Sequence, residues 1–419
     1  MTEIAVYADW EGLAGPRRLG VLHVRRTRAT DVFEFEHDRG ALSDPELNVI
    51  PLDPRIGCFE GPQYPGPHQS RFGMFADSSP DRWGQLLMKR RLERDIREGL
   101  APKGSKLHES DFLLGVHDRY RVGAIRYRLN DEGRFLDDRE GVAAPPFVQL
   151  RALERASRAL EADSGNTAAE GGDWLRMLIA PGGARPKASV VDDDGHLWIA
   201  KFPSIRDDHD VGGWEMVVNA LGDSCGLRMA SGMAHRFASD HHCFMVKRFD
   251  RTDTGGRLHF ASAMTLTDRV DGDDGAVGAS YLELAEVLIR EGAQTNADLR
   301  ELWSRIVFNI LVSNTDDHLR NHGFILEPGR GWRLSPAYDL NPVPYADGLK
   351  LNITDADNAL DLELAREVAG YFRVRRDDAE GIISDFQDVV RQWPLVADAL
   401  GLSKREQDHM APAFRLATH

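Results

Sequence analysis

The sequence predicts an α+β protein, mainly β near its N-terminus and helical near its C-terminus. Three observations carry this. Short runs in the first 130 residues alternate β-branched or aromatic residues with polar ones; a second group of strand runs with a hairpin signal lies between 187 and 249; and from 282 onward apolar residues recur at helical spacing. At about 150 residues per domain, 419 residues imply two or three domains and ample length for buried cores.

In chain order, Ile4–Tyr7, Gly20–Val24 and Val32–Glu36 read as half-buried strands, and Pro65-Gly-Pro67 marks a loop. Arg82–Leu92 reads as a helix capped by Ser79-Pro-Asp81, with Trp83, Leu86, Leu87 and Arg90 on one face. Asn130–Pro146 is polar enough to be a linker, 149–162 has helical spacing, and 163–172 is a flexible connection, so a domain boundary is expected within 130–172. Lys187–Val191 and His196–Phe202 flank Asp192-Asp-Asp-Gly195, a hairpin signal. Trp214–Gly222 carries an i, i+3, i+4, i+7 stripe with Gly222 placed to end the helix. His242–Phe249 is a further strand. Residues 282–292, 299–313, 359–372, 377–393 and 404–416 read as helices, with a hairpin at 323–335 between them.

The formal charge is −15, unevenly spread: residues 1–150 hold 22 basic and 24 acidic side chains, residues 151–419 hold 30 and 43. A field of that sign repels phosphate backbones and anionic membranes, so unaided DNA binding is not expected. Cys58, Cys225 and Cys243 are far apart and form no C-x-x-C pair, which suggests neither a disulfide framework nor a thiolate zinc site. The N-terminus lacks a basic and apolar leader, and no stretch approaches 18 apolar residues, so a cytoplasmic location is expected.

The chemistry concentrates in Asn314-Thr-Asp-Asp-His-Leu-Arg-Asn321, which follows the buried run Ile306–Val312. An Asp and an Asn five apart after a buried helix is the spacing used by phosphotransferases of the protein-kinase type, the Asp orienting the hydroxyl nucleophile and the Asn holding Mg²⁺. Asp316 and Asn321 are the candidates. Taken alone, the run is more often an Asx turn or a helix cap than a catalytic loop. The hairpin that follows returns the chain to its start and ends in Ala337-Tyr-Asp-Leu340, which would bring Asp339 to Asn321 as a second magnesium ligand. Upstream, Pro181-Gly-Gly-Ala-Arg-Pro-Lys187 could let backbone N–H groups approach phosphates, although it is not a Walker A loop. Lys201, in the apolar Trp198–Phe202, should meet an anion, either a nucleotide phosphate or Glu215; a snorkelling edge-strand lysine is the plainer alternative. His318 and His322 have the spacing of a metal pair, but a zincin needs a Glu where Leu319 stands. Asp271-Gly-Asp-Asp-Gly275 falls short of a calcium loop.

These segments, with Val246-Lys-Arg-Phe-Asp250, Leu334-Ser-Pro-Ala-Tyr-Asp339, Phe75–Gly84 and Arg121–Arg126, resemble the HipA family of toxin serine/threonine kinases in order and spacing over nearly the whole chain. The resemblance implies a two-lobed kinase-like fold: a mainly β N-terminal subdomain at 1–145, an ATP-binding part at 146–255, and an all-helical C-terminal catalytic lobe at 256–419. It implies Gly182, Gly183, Ala184, Arg185, Pro186 and Lys187 as the phosphate loop, Lys201 as the phosphate-binding lysine, and Lys247, Arg248 and Phe249 as the hinge at adenine. Asp316 becomes the catalytic acceptor of the substrate proton, with His318, Arg320, Asn321, Tyr338 and Asp339 around nucleotide and magnesium. The family setting implies ATP and Mg²⁺ as cofactors. It also implies a HipB-like helix-turn-helix antitoxin as partner, through which alone DNA would be met, and a protein substrate such as an aminoacyl-tRNA synthetase.

One departure stands out. Where the family carries a regulatory serine before the glycine loop, this chain has Ala180, which predicts that it does not silence itself by autophosphorylation there; Ser164 and Thr167 are the nearest hydroxyls in the linker. Two other readings remain open: a non-catalytic partner of a DNA-binding regulator, and a small-molecule or lipid kinase.

Overall fold

The computed structural model describes residues 1–27, 30–47, 51–139, 144–162 and 185–418. They form two compact units, Met1–Arg206 with Met245–Ala261, and Asp207–Phe244 with Ser262–His419. The expected middle segment, 146–255, is therefore shared between them. The glycine loop through Ala184, Ala180, Ser164 and Thr167 lie outside the described residues.

The first unit opens with β1 (Thr2–Ala8), β2 (Arg17–Arg26) and β3 (Asp31–His37), joined by β4 (Ile125–Arg128) in an antiparallel sheet ordered β3-β2-β1-β4. Alternation sends Phe33 and Phe35 inward, where Phe72, Phe75 and Tyr127 complete an aromatic core. The connections carry α1 (Arg39–Ser43), α2 (Gly73–Asp77), α3 (Arg82–Arg97), α4 (Glu109–Leu114) and α5 (Leu150–Ala162). α3 starts where the sequence predicts, because Asp81 accepts a hydrogen bond from the Gly84 N–H at 2.6 Å. Its buried face is Trp83, Gly84 and Leu87; Leu86 is 38% exposed, correcting the expected stripe, since three residues of helical rotation carry it to the flank. The hairpin of β5 (Lys187–Val191) and β6 (Leu197–Lys201) forms as expected, with Gly195 in the left-handed region that its turn requires.

Arg121 is fully buried in this unit and, among the described residues, has no carboxylate hydrogen-bond partner. Its guanidinium donates to the carbonyls of Ser78, Leu113, Val116 and Leu136 at 2.7–3.0 Å, tying the C-terminal end of α4 to three segments outside regular secondary structure. Nearby, Asp250 accepts from Arg248, Arg251 and the Gly123 N–H.

The second unit begins with α6 (Val211–Ser224) and β7 (Gly232–His235), and β8 (Cys243–Lys247) returns the chain to the first. Gly222 does not end α6. It lies inside the helix, where a Cβ would meet the Met229 sulfur at 2.6 Å, so close packing accounts for it. After β9 (Phe260–Ser262) come α7 (Ala263–Leu266), α8 (Tyr281–Glu291), α9 (Thr295–Val312), and the antiparallel pair β10 (Gly323–Glu327) and β11 (Gly331–Leu334). A Ser280–Glu283 capping box starts α8. From Leu302 onward α9 is buried on every side, including Trp303, Ile306, Phe308 and Leu311, and so forms the centre of the unit. α10 (Leu362–Val368), α11 (Arg376–Val390), α12 (Trp393–Ala399) and α13 (Lys404–Met410) surround it. α12 was not foreseen; Gln392 ends the preceding turn and Trp393 packs on Phe414 with ring centroids 4.8 Å apart. The described residues of 256–419 are not all-helical as expected: β9 and the β10–β11 hairpin lie among their helices, and the second unit also holds β7. Among the described residues, no helix is long and apolar enough to cross a membrane.

Candidate active site

The second unit brings together the three residues that the spacing selects. α9 ends at Ser313, whose left-handed backbone (φ 51°) turns the chain sharply into the loop, and its hydroxyl donates to the Ala413 carbonyl at 2.7 Å. Asp316 stands at the loop's crest. It is exposed, and its carboxylate makes no hydrogen bond or ion pair with a described residue. The Asn321 amide NH₂ donates to the backbone carbonyl of Asp316 at 3.0 Å and reaches that of Asp339 at 3.5 Å. The hairpin thus returns the chain as expected, and Asn321 holds the two acidic segments side by side. With its NH₂ so engaged, the Asn321 Oδ1 atom has no donor among the described residues.

Asp339 is half-buried with φ 60°, a left-handed conformation that Asp tolerates better than most side chains but that still costs about 1–3 kcal/mol. Asn341 Nδ2 reaches its Oδ1 at 3.4 Å. The Tyr338 hydroxyl donates to the Arg320 carbonyl at 2.8 Å, a second tie between hairpin end and loop, while Arg320 lies 3.5 Å from Asp271. His318 is half-buried on the same loop, and its backbone N–H donates to the Asp316 carbonyl at 2.9 Å. The His318–His322 metal pair does not form: His322 Nε2 is committed to the Asp317 carboxylate at 2.8 Å. Asp273 and Asp274 cap backbone N–H groups, so the 271–275 acids are turn residues.

The sequence reading passed over Asp317. It is 3% exposed and accepts hydrogen bonds from Asn309 Nδ2 at 2.7 Å, from His322 and from the Tyr281 hydroxyl. Burial first, and then the Asp317 charge, push the Tyr281 phenol well above its ordinary value, so it remains a donor. The available signal was Asn309, a polar residue inside an otherwise apolar helix.

The first unit holds the other candidates. Lys187 and Lys201 are opposite each other on β5 and β6, an arrangement of like charges that raises the positive potential at that end of the hairpin. The Lys187 ammonium is buried 3.5 Å from Asp81. Lys201 is half-buried on β6, and Glu215, its other suggested partner, lies on α6 of the second unit. Of the phosphate loop, Arg185, Pro186 and Lys187 are described; the Pro186 carbonyl accepts from the Phe202 N–H at 2.8 Å. In the hinge segment, Lys247 pairs with Asp253 at 2.9 Å, the Phe249 ring is 6.1 Å from that of Phe260, and the Arg248 guanidinium is buried against Asp250 and the carbonyls of Tyr120 and Arg121. The Arg248 side chain is therefore a structural tie, and contact with a ligand would fall to the backbone there.

Comparison with known proteins follows the same outline. Residues 179–393 match the family model of the HipA-like C-terminal domain. A Sinorhizobium fredii protein provisionally named kinase Y4mE is 28% identical over 290 residues, 62% of this chain and 66% of its own length. A second from the same organism, provisionally named kinase Y4dM, is 38% identical over 174 residues, 38% of this chain and 40% of its own. The chain thus matches less than two thirds of each of these relatives. The fold is similar to that of HipA in the Shewanella oneidensis complex of HipA, HipB and operator DNA, with a TM-score of 0.65, 16% identity, and coverage of 99% of this chain and 95% of that one.

Proposed function

The chain belongs to the family of the HipA-like C-terminal domain, and on that premise we propose that it is an ATP- and Mg²⁺-dependent protein serine/threonine kinase. In this reading it is the toxin of a toxin–antitoxin pair and phosphorylates a translation component such as an aminoacyl-tRNA synthetase. The observation that carries the reading is the contrast within one loop: the Asp316 carboxylate is exposed with no partner among the described residues, while Asn321 bridges its carbonyl to that of Asp339.

Asp316 would accept or orient the proton of the substrate hydroxyl, a role that needs a carboxylate open to an incoming group. The donor set suits a hard cation: the Asn321 Oδ1 oxygen and the Asp339 carboxylate are oxygen ligands, and the Asn321 amide is already oriented by two carbonyls. Magnesium held there would neutralise charge on the phosphates of ATP. Lys201, beside Lys187 at the end of the hairpin, would meet a phosphate, and the backbone of 182–186 and 247–249 would take the nucleotide's other contacts. The acid excess of residues 151–419 supports a basic partner, here a helix-turn-helix antitoxin, through which any contact with operator DNA would run.

Phosphoproteomics on cells induced for the wild type and for Asp316→Ala tests the reading. The wild type should add serine or threonine phosphates to a translation component, and the variant should not. Identical phosphorylation in the two cultures would overturn it.

A further inference from the structure

We infer that Asp317 is the positioning residue of this site: it sets the hydrogen-bond direction of a buried asparagine relay that joins the Asp316–Asn321 loop to the backbone around Asp339. For its effect on turnover the inference rests on the kinase reading; for its effect on loop order it does not.

The relay is continuous. Asn309 Nδ2 donates to Asp317 at 2.7 Å; Asn314 Nδ2 donates to Asn309 Oδ1 at 3.1 Å; the Asn341 backbone N–H donates to Asn314 Oδ1 at 3.0 Å; and Asn341 Nδ2 reaches Asp339 Oδ1 at 3.4 Å. Its inner members are sealed from water: Asp317 is 3% exposed, Asn309 1% and Asn314 0%. A side-chain amide can point either way, and only its neighbours decide. Here the decision comes from Asp317. A carboxylate only accepts, so Asn309 must present its NH₂ to it and its oxygen to Asn314. Asn314 is thereby left with its oxygen toward Asn341. Reversing any one amide would set donor against donor or acceptor against acceptor in a site without water, at a cost of about 1–3 kcal/mol for each group left unsatisfied.

Two further groups hold the carboxylate in place. The Tyr281 hydroxyl donates to it from the start of α8, and His322 Nε2 donates from the far end of the loop, with the His322 carbonyl in turn accepting from the Ala263 N–H at 2.8 Å. Asp317 is therefore fastened on α8, on α9 and on the segment leading to β10. Its chain neighbour Asp316 inherits that placement through one peptide bond, and Asp339 through the relay. The two acids of the site are thus positioned from one buried anion.

The experiment is hydrogen exchange by mass spectrometry on the full chain, comparing wild type with Asp317→Asn, beside steady-state kinetics. The amides of Asn341 and Val343, neither of which hydrogen-bonds to Asp317, should exchange about tenfold faster in the variant. The kcat should fall on the order of a hundredfold with KM for ATP little changed, as expected when reacting groups are displaced rather than binding lost. Unchanged exchange at 341 and 343, or a kcat loss no larger than the unfolded fraction explains, would overturn the inference. If wild type transfers no phosphate, the kinase reading fails, and exchange alone decides this one. If Asp317→Asn does not fold, Tyr281→Phe removes one donor without changing volume and should speed the same amides by on the order of threefold; no change there would overturn it equally.

Discussion

Arg121 in the first unit and Asp317 in the second are both charges exposed by a few per cent or less, and each is satisfied in the opposite sense. Arg121 spends its donors on four backbone carbonyls, one at the end of α4 and the others in the chain after α2, after α4 and before Asp137, so what it organises is mostly chain that no sheet or helix organises. Asp317 accepts from three side chains, each on or next to an element that leads to the reactive loop. The guanidinium therefore acts as scaffold, while the carboxylate acts on geometry. A buried ion does not announce a site by its burial. What distinguishes the two is where their partners lead.

The comparison breaks first at Arg121. Arg121→Met keeps much of the apolar stem but strips the Ser78, Leu113 and Leu136 carbonyls of the donor it supplies, while the Val116 carbonyl keeps the Asp137 N–H, so stability in urea should fall by about 3–5 kcal/mol, with ATP affinity of the folded fraction unchanged. A loss below about 1 kcal/mol would mean the loops are held by packing alone.

His259 sharpens the contrast through pH. Burial lowers its pKa from the usual 6.5 to about 3, in contact with the Trp10 ring at 6.0 Å. A depressed histidine contributes stability that is complete above the unfolded value of about 6.5 and is lost as pH falls toward the folded one, so about 2 kcal/mol should disappear between pH 7 and pH 5. Asp118, Asp210 and Asp250 cannot produce that slope. Burial raises each of them, but their arginine or histidine partners outweigh it and hold them below the ordinary range, so their contribution is lost only below about pH 4. Urea titrations at pH 7, 6 and 5 on wild type and His259→Phe measure this; the variant should lose about 2 kcal/mol less than wild type over the interval, the slope that persists coming from His37 and His117, whose pKa values burial also lowers.

The smallest effect is expected at Gly222→Ala. A Cβ there meets the flexible end of Met229, so a cost of about 1 kcal/mol or less is expected, partly offset by the better helix propensity of Ala. A loss of several kcal/mol would show that Met229 cannot yield.

Much of this molecule was legible in its residues, for reasons that differ by element. β1–β3, β5–β6 and β10–β11 were visible because alternation and turn residues are local signals. α12 and the burial of Trp83 without Leu86 were not, because tertiary packing decides them: Trp393 finds Phe414, and the α3 face is set by what lies beneath it. Gly222 read as a helix stop because sequence does not reveal that a methionine seven residues later fills the space beside it. In the site, Asp316 and Asn321 could be named from their five-residue spacing after a buried helix, and Asp339 because a hairpin must return the chain. Asp317 could not, since the second Asp of Asn314-Thr-Asp-Asp reads as turn chemistry, and its true partners, Asn309 and Tyr281, are 8 and 36 residues away.

The central claim is that Asp316 performs the proton chemistry of phosphoryl transfer while contributing nothing to the fold. Purified wild type and Asp316→Ala, incubated with radiolabelled ATP, Mg²⁺ and a protein acceptor, test it most directly when paired with urea denaturation. Label transfer should be abolished in the variant with stability within about 0.5 kcal/mol of wild type, because an exposed carboxylate without partners among the described residues is being removed. Full transfer by Asp316→Ala would contradict the account.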